Sequence, residues 1–505
     1  MTKFFRVDCA KAGIHNSQNL SEFRSQDCFP LPSLASLFAM ASSKMLKVHE
    51  ITRVSPSSDS PSSANEFSLP LTFFDIFLFK FHPIETVFFF QLTESTSTPS
   101  CFYSEILPRL KKSLSLALAH YLPLAGNLKW PSDSPKPILS YAPNDGISLT
   151  VAESEAQNFN SLSGNEIRKA NELQPLVPQL MISDHIAAIL SAQITLFPNQ
   201  GFSIGVTTHH AAVDGRIGVM FLKSWAYLCK QGNKANPPLP PELTPFFERS
   251  VIEDPARLDL LYLKQWSAFT SLDSDPNKRN LKLWQEVRST PDDLVRATFE
   301  FSRKDIKKLR EKILSKLDNS KPLHLSTFVL TLAYTATCLV KAKGEGDRPV
   351  SIVFVADCRT RLDPPLPITY FGNCLMSFGR STNATHFMNE DGFPFAVDLC
   401  CDLIEGLKNG VLEGAEEKVS HIFTSKKPGL QFINVGGSPQ LLIYGLDFGL
   451  GKLKKVEFVS VHRDEAIAMT ESRDGSGGVE VGLALNKHEM ENFASLFSDG
   501  LRSID

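Results

Sequence analysis

Small or polar side chains alternate with apolar ones along Gly201-Phe202-Ser203-Ile204-Gly205-Val206. Just beyond, Ile217, Val219, Met220, Phe221, Trp225 and Leu228 recur at roughly helical spacing. A strand running into a helix is predicted, with Gly215 marking the turn between them. The same reading gives strands over 46–54 and 87–92, separated by a Ser/Pro-rich loop over 55–63 that cannot bury a core. It also gives a helix over 104–121, with Leu107, Leu110, Leu114, Leu116 and Leu118 on its apolar face, Lys111 and Lys112 opposed, and Pro108 tolerated. Gly126 ends that unit. In the second half the pattern predicts a helix over 257–271, a strand over 297–301, a charged helix over 303–316, a buried helix over 326–341 and a fully buried strand over 350–355. No internal repeat is visible.

Alternating helices and strands in two halves predict an α/β protein with mixed sheets. Asn236-Pro237-Pro238-Leu239-Pro240-Pro241, continuing irregularly to Pro255, is the strongest break in the pattern. The chain of 505 residues therefore divides into an N-terminal domain over 40–235, a crossover linker over 236–256 and a C-terminal domain over 257–505. Residues 1–39 mix Lys3, Arg6, Lys11 and Arg24 with Asp8, Glu22 and Asp27 and lack the apolar core of a signal peptide. They read as a disordered leader or an artefact of start-codon choice.

Composition narrows the class without naming it. A formal net charge of −3 supplies no general attraction to nucleic acid or to an anionic membrane. No run of about 18 apolar residues exists to span a bilayer, because the aromatic stretch 73–81 is interrupted by Asp75 and 87–90 is too short. The 9 cysteines, Cys400-Cys401 included, show no Cys-x-x-Cys pair and no Cys/His spacing suited to zinc, so reduced thiols in a cytoplasmic protein without a metal site are expected.

The predicted strand-to-helix turn holds Thr207-Thr208-His209-His210-Ala211-Ala212-Val213-Asp214-Gly215. A histidine at a strand end can take a proton from a hydroxyl or amine near neutral pH, since its ordinary pKa is about 6.5. The His-x-x-x-Asp spacing alone also suits a satisfied core or surface histidine. Further segments change the balance: Tyr370-Phe371-Gly372-Asn373-Cys374, Asp447-Phe448-Gly449-Leu450-Gly451, and the glycine-rich stretch from Glu471 to Gly482. With His210 and Asp214, in this order, they make the chain from about Met40 onward resemble the plant BAHD acyl-CoA-dependent acyltransferases. The Tyr-Phe-Gly-Asn-Cys segment is similar to the malonyltransferases that act on flavonoid, anthocyanin and phenolic glucosides.

That resemblance implies a chloramphenicol-acetyltransferase-like fold of two similarly folded domains, with a solvent channel between them. His210 would lie mid-channel, with coenzyme A entering from one side and the acceptor from the other. It implies malonyl-CoA as co-substrate, no tightly bound cofactor, and a glycosylated phenolic acceptor taking the acyl group on a sugar hydroxyl, the 6-hydroxyl foremost. His210 would act as general base with no covalent acyl-enzyme, leaving Cys358 and Cys374 to packing. Asp214 would pair with an arginine of Asp357-Cys358-Arg359-Thr360-Arg361, Arg359 being preferred and Arg361 the alternative. Asp447, Gly449 and Gly451 would support the site as a tight turn, in which Leu450 stands where the family has tryptophan.

Other candidates carry two readings each. Asn373 either donates its amide to the acyl carbonyl or stabilises a turn. Arg303, Lys304, Ser326 and Thr327 resemble coenzyme A contacts, or are solvated charges and a helix cap. Arg473, at the entrance of a hairpin over 472–485, would meet the free carboxylate of a malonyl group. Lys452, Lys454 and Lys455 read as charges protecting an edge strand. Competing functions keep the mechanism with acetyl- or hydroxycinnamoyl-CoA as donor, make the chain a carrier-protein-dependent condensation enzyme, or leave a non-catalytic relative of the fold.

Overall fold

Every side chain of Gly201–Thr208 is buried, and the strand sits inside a six-stranded sheet, paired antiparallel with both Leu190–Phe197 and Ile84–Gln91. In this computed structural model the described residues are 46–503, apart from 155–157, 233–236, 271–278, 285–290, 292, 317–323, 345, 425–428 and 464–465. The sheet runs Lys47–Val54, Ile147–Glu153, Leu190–Phe197, Gly201–Thr208, Ile84–Gln91 and Lys452–Phe458. Only its Ile147–Glu153/Leu190–Phe197 pair is parallel. A second, seven-stranded sheet orders Leu375–Asn383, Pro349–Asp357, Gln431–Gly436, Ala466–Glu471, Val479–Asn486, Leu294–Phe301 and Arg168–Lys169, with Gln431–Gly436 parallel to both neighbours. A small four-stranded sheet, with Phe67–Pro70 and Ile138–Tyr141 at one edge, flanks the first half. Mixed sheets with helices packed on them are the architecture the periodicity predicts.

The long N-terminal helix runs from Pro99 through a π turn at Phe102–Ile106 into Leu107–His120. It packs against the helix Gly215–Lys230, whose Trp225 indole donates to Leu110 O and to Ser113 Oγ, both at 3.1 Å. Leu122–Ala125 then adds a short turn that ends at Gly126, where a Cβ would come within 2.3 Å of Ser140 O. The later helices form at Leu258–Thr270, Arg303–Lys316 and Thr327–Ala342, close to the predicted spans.

Two expectations need correction. The strand Pro349–Asp357 is not fully buried: Val355 is 38% exposed, and Ser351, Val353 and Val355 face a cavity on one side of it. Alternate side chains of a strand point to opposite faces, so an apolar run cannot show that one face borders a void. Lys455 is not an edge guard either. Lys452–Phe458 is an edge strand, and Lys452 is exposed, but Lys455 is buried and donates to Thr298 Oγ1 at 2.8 Å and Glu480 Oε2 at 3.1 Å.

The proline-rich segment does not divide the two large sheets cleanly. Lys452–Phe458, late in the chain, completes the first sheet beside Ile84–Gln91, while Arg168–Lys169 from the first half closes the second sheet beside Leu294–Phe301. Buried charges reinforce the exchange: Glu457 accepts from Arg296 at 2.6 Å and from Arg168. Two large cores nevertheless remain distinct, one around Leu110, Phe202 and Trp225, the other around Leu309, Ile352 and Phe493. The leader, 1–39, lies outside the described residues.

Candidate active site

A cavity of about 600 Å³ is lined by strands of both large sheets and by the N-terminal half of Gly215–Lys230. His210 lines it at the end of Gly201–Thr208. Its neighbour His209 is fully buried, and burial, with help from His210 and Lys80, lowers its pKa to about 3. His209 is therefore an uncharged core residue whose Nδ1 accepts from Ala211 N at 3.2 Å. His210 is the one of the pair that faces the cavity, half-buried, with the Phe81 ring edge-on at 6.5 Å.

Asp214 starts the helix and holds the loop. Its Oδ1 accepts from Ile217 N at 3.0 Å as an N-cap, and its Oδ2 accepts from Arg359 Nη1 at 2.8 Å and Cys374 N at 3.2 Å. Asp214 and Arg359 are both 0% exposed. Burial works against the Arg359 charge, but Asp214 and Asp357 outweigh it and raise the guanidinium pKa above its ordinary value. Arg359 Nη2 also donates to Gly372 O at 2.8 Å. One cation thus ties the His-x-x-x-Asp turn to the Tyr-Phe-Gly-Asn-Cys segment. Arg361, the alternative partner, is exposed and donates to Asp357 O at 2.6 Å.

Asn373 is fully buried and does not line the cavity. Its Nδ2 donates to Asp75 Oδ1 at 3.0 Å and to His210 O at 2.8 Å. A side-chain amide has two hydrogens, so this arrangement leaves none for an acyl carbonyl, and of the two expected roles the loop-stabilising one fits. Asp75 and Arg249 were not foreseen. Asp75 Oδ2 accepts from Arg249 Nη1 at 3.0 Å, and Arg249 also donates to the Tyr370 hydroxyl at 2.7 Å. A signal did exist: Asp75 is an acid inside the apolar run Phe73-Phe74-Asp75-Ile76-Phe77, where a carboxylate needs strong partners to be buried.

The Asp447–Gly451 segment sits at the other end of Gly215–Lys230, about 24 Å along the helix from Asp214 at 1.5 Å per residue. Asp447 pairs with Lys230 at 2.6 Å, and Phe448 packs edge-on against Trp225 at 5.2 Å. Gly451 has φ +128, and a Cβ there would lie 2.7 Å from Gln91 O. Leu450 is buried and does not line the cavity, so the segment is a turn that launches Lys452–Phe458.

The remaining candidates lie outside the cavity lining. Arg303 and Lys304 are exposed at the start of their helix; Ser326 caps the next helix, accepting from Val329 N at 3.3 Å, and Thr327 is its first residue. Arg473 is engaged by carboxylates, with Nε 2.6 Å from Glu480 and Nη2 3.2 Å from Glu300. Among the described lining residues the cationic side chain is Lys418, whose Nζ donates to Ser377 O at 2.8 Å. The cavity can thus offer a cation, several hydroxyls, apolar walls and the imidazoles of His82, His210 and His421.

Comparison with known proteins gives this geometry a context. The Transferase family matches residues 44–499. The chain is 45% identical over 470 residues to phenolic glucoside malonyltransferase 1 of Arabidopsis thaliana, covering 91% of this chain and 98% of that one. It is 42% identical over 456 residues to agmatine coumaroyltransferase of the same plant, covering 90% and 98%. In fold it is similar to vinorine synthase, with a TM-score of 0.64 at 20% identity, covering 90% of this chain and 98% of that one. The chain belongs to the Transferase family of BAHD acyltransferases, enzymes that transfer acyl groups from coenzyme A thioesters.

Proposed function

We propose that this enzyme transfers malonyl from malonyl-CoA to a sugar hydroxyl of a phenolic or flavonoid glucoside, with His210 as general base. The observation that carries the chemistry is the His210 imidazole lining a cavity shared by both large sheets, beside the buried, uncharged His209. The neutral imidazole takes the acceptor's hydroxyl proton as that oxygen attacks the thioester carbonyl. The tetrahedral intermediate then expels the thiolate, which takes the proton from the imidazolium, leaving an ester and free coenzyme A. No covalent acyl-enzyme is needed. Cys358 and Cys374 are buried, and burial raises both thiol pKa values, that of Cys358 to about 12, so neither is an activated nucleophile. Asp214 and Arg359 hold the loop.

The malonyl preference rests on likeness to the phenolic glucoside malonyltransferases. A second reading, a coumaroyl donor with an amine acceptor, is favoured by the similar identity to agmatine coumaroyltransferase. Purified protein offered malonyl-, acetyl- and coumaroyl-CoA against phenolic glucosides and agmatine, with products weighed by mass spectrometry, separates the two. Malonylated glucosides support the first reading, and coumaroylagmatine as main product overturns it. We place the activity in the cytoplasm, in a monomer. His210→Ala is expected to lose about 10²–10⁴-fold in turnover while remaining folded.

A further inference from the structure

The His210 backbone is held from a direction that neither Asp214 nor Arg359 supplies. Asn373 Nδ2 reaches the His210 carbonyl at 2.8 Å, and that amide is itself held by Asp75 Oδ1, which accepts from Asn373 Nδ2 at 3.0 Å and from Asn373 N at 2.8 Å. Asp75 Oδ2 is fixed in turn by Thr72 N at 3.0 Å, Thr72 Oγ1 at 2.9 Å and Arg249 Nη1 at 3.0 Å. Asp75 and Asn373 are both 0% exposed. We propose that Asp75 and Asn373 are positioning residues for the acyl transfer, setting the His210 backbone, and through it the imidazole, by a chain of hydrogen bonds from Arg249 in the crossover segment.

Physical chemistry supports more than a packing role. An amide that donates one hydrogen to a carboxylate and the other to a carbonyl has a single orientation, because turning it over would put its oxygen against two acceptors. The carboxylate is charge-assisted on both oxygens, which makes these among the stronger bonds of the loop. Arg249 is admitted to this position by Gly372, at φ +131, where a Cβ would lie 2.3 Å from Arg249 Nη1. The glycine and asparagine of the Tyr-Phe-Gly-Asn-Cys segment thus have separate tasks, one making room for the cation and the other gripping the histidine's carbonyl.

This inference rests on His210 as base, so His210→Ala serves as reference in the same assay. Asn373→Ala and Asp75→Asn are compared with wild type by kcat, KM for acyl-CoA, folded fraction from near-UV circular dichroism, and NMR of the histidine-labelled protein. Asn373→Ala should lower kcat per folded molecule by about 10- to 100-fold with KM for acyl-CoA little changed, as expected for a base displaced by about an ångström. The His210 ring signal should broaden or shift in the folded variant. Asp75→Asn should lose kcat in the same way, and the double variant should be no slower than the worse single one. If Asp75→Asn does not fold, Asn373→Ala and Asn373→Ser decide alone.

A folded Asn373→Ala with kcat within twofold of wild type and an unmoved His210 signal would overturn the proposal. So would a folded Asp75→Asn at full rate beside a slow Asn373→Ala, since that pattern belongs to an amide acting on substrate directly. Turnover surviving in His210→Ala would instead overturn the general-base reading.

Discussion

Arg359→Ala is the substitution whose cost the structure determines most directly. It removes a cation 2.8 Å from Asp214, both groups being 0% exposed, and leaves the carboxylate, among the described residues, with the Ile217 and Cys374 amides. Breaking one half of a buried pair costs about 3–5 kcal/mol. Asp214→Ala leaves Arg359 with Asp357 at 3.1 Å, which softens the charge penalty, but it also removes the helix cap, worth about 1 kcal/mol. Two independent losses would sum to about 6–10 kcal/mol, whereas one shared interaction leaves the double variant little worse than Arg359→Ala. The measurement is a double-mutant cycle in thermal and urea unfolding, with turnover followed per folded molecule. Arg361→Ala is the control: exposed and bonded to one backbone carbonyl, it should stay within about 0.5 kcal/mol of wild type. Additive losses in the cycle, or an Arg361→Ala variant as unstable as Arg359→Ala, would refute the pairing as the loop's main tie.

Leu450→Trp should melt earlier by about 1–3 kcal/mol from overpacking a buried site, with turnover per folded molecule retained because Leu450 does not line the cavity. A stable but inactive variant would contradict this. Arg473→Ala should lower stability modestly by removing one of the two cations on the buried Glu480, which keeps Lys455 at 3.1 Å, and should reduce malonyl and acetyl transfer by the same factor; a selective loss of malonyl transfer would restore the carboxylate-binding role. His209 has its folded pKa at about 3, below the ordinary 6.5, so the unfolded state binds the extra proton. Its contribution is intact above about pH 6.5 and is lost on acidification toward pH 3 at about 1.4 kcal/mol per pH unit. His209→Gln should show a shallower fall of stability over that window; equal slopes would place the acid sensitivity elsewhere.

The sequence was most legible where one period dominates. The alternation at 201–206 and the helical stripe from Ile217 to Leu228 locate the strand, the turn and the helix that present His210. Helices such as 303–316 and 326–341 were equally clear, having a single apolar face or a largely apolar run bounded by a cap. What stayed hidden depends on partners distant in sequence. Asp75 meets Asn373 across 298 residues, and no local pattern encodes that contact. Lys455 carries the same charge as Lys452, and only the fold turns one into Glu480 and leaves the other in solvent. The open face of 349–357 was invisible for the same reason, since valine and phenylalanine line voids as readily as cores.

The exchange of strands between the large sheets bears on how the chain is made. Glu85 N meets Ser460 Oγ, a partner 375 residues away, and the strand that holds it, Ile84–Gln91, waits for Lys452–Phe458 to cover its edge. During synthesis from the N-terminus, most of the protein therefore emerges before that aromatic-rich edge can be paired. An uncovered, apolar edge strand is a template for association with other chains, and contacts this remote form slowly because a long loop must close first. Fragments cut at the proline-rich segment should accordingly aggregate when expressed apart and recover solubility only when co-expressed, while ribosome-bound chains lacking the last fifty residues should still depend on chaperones.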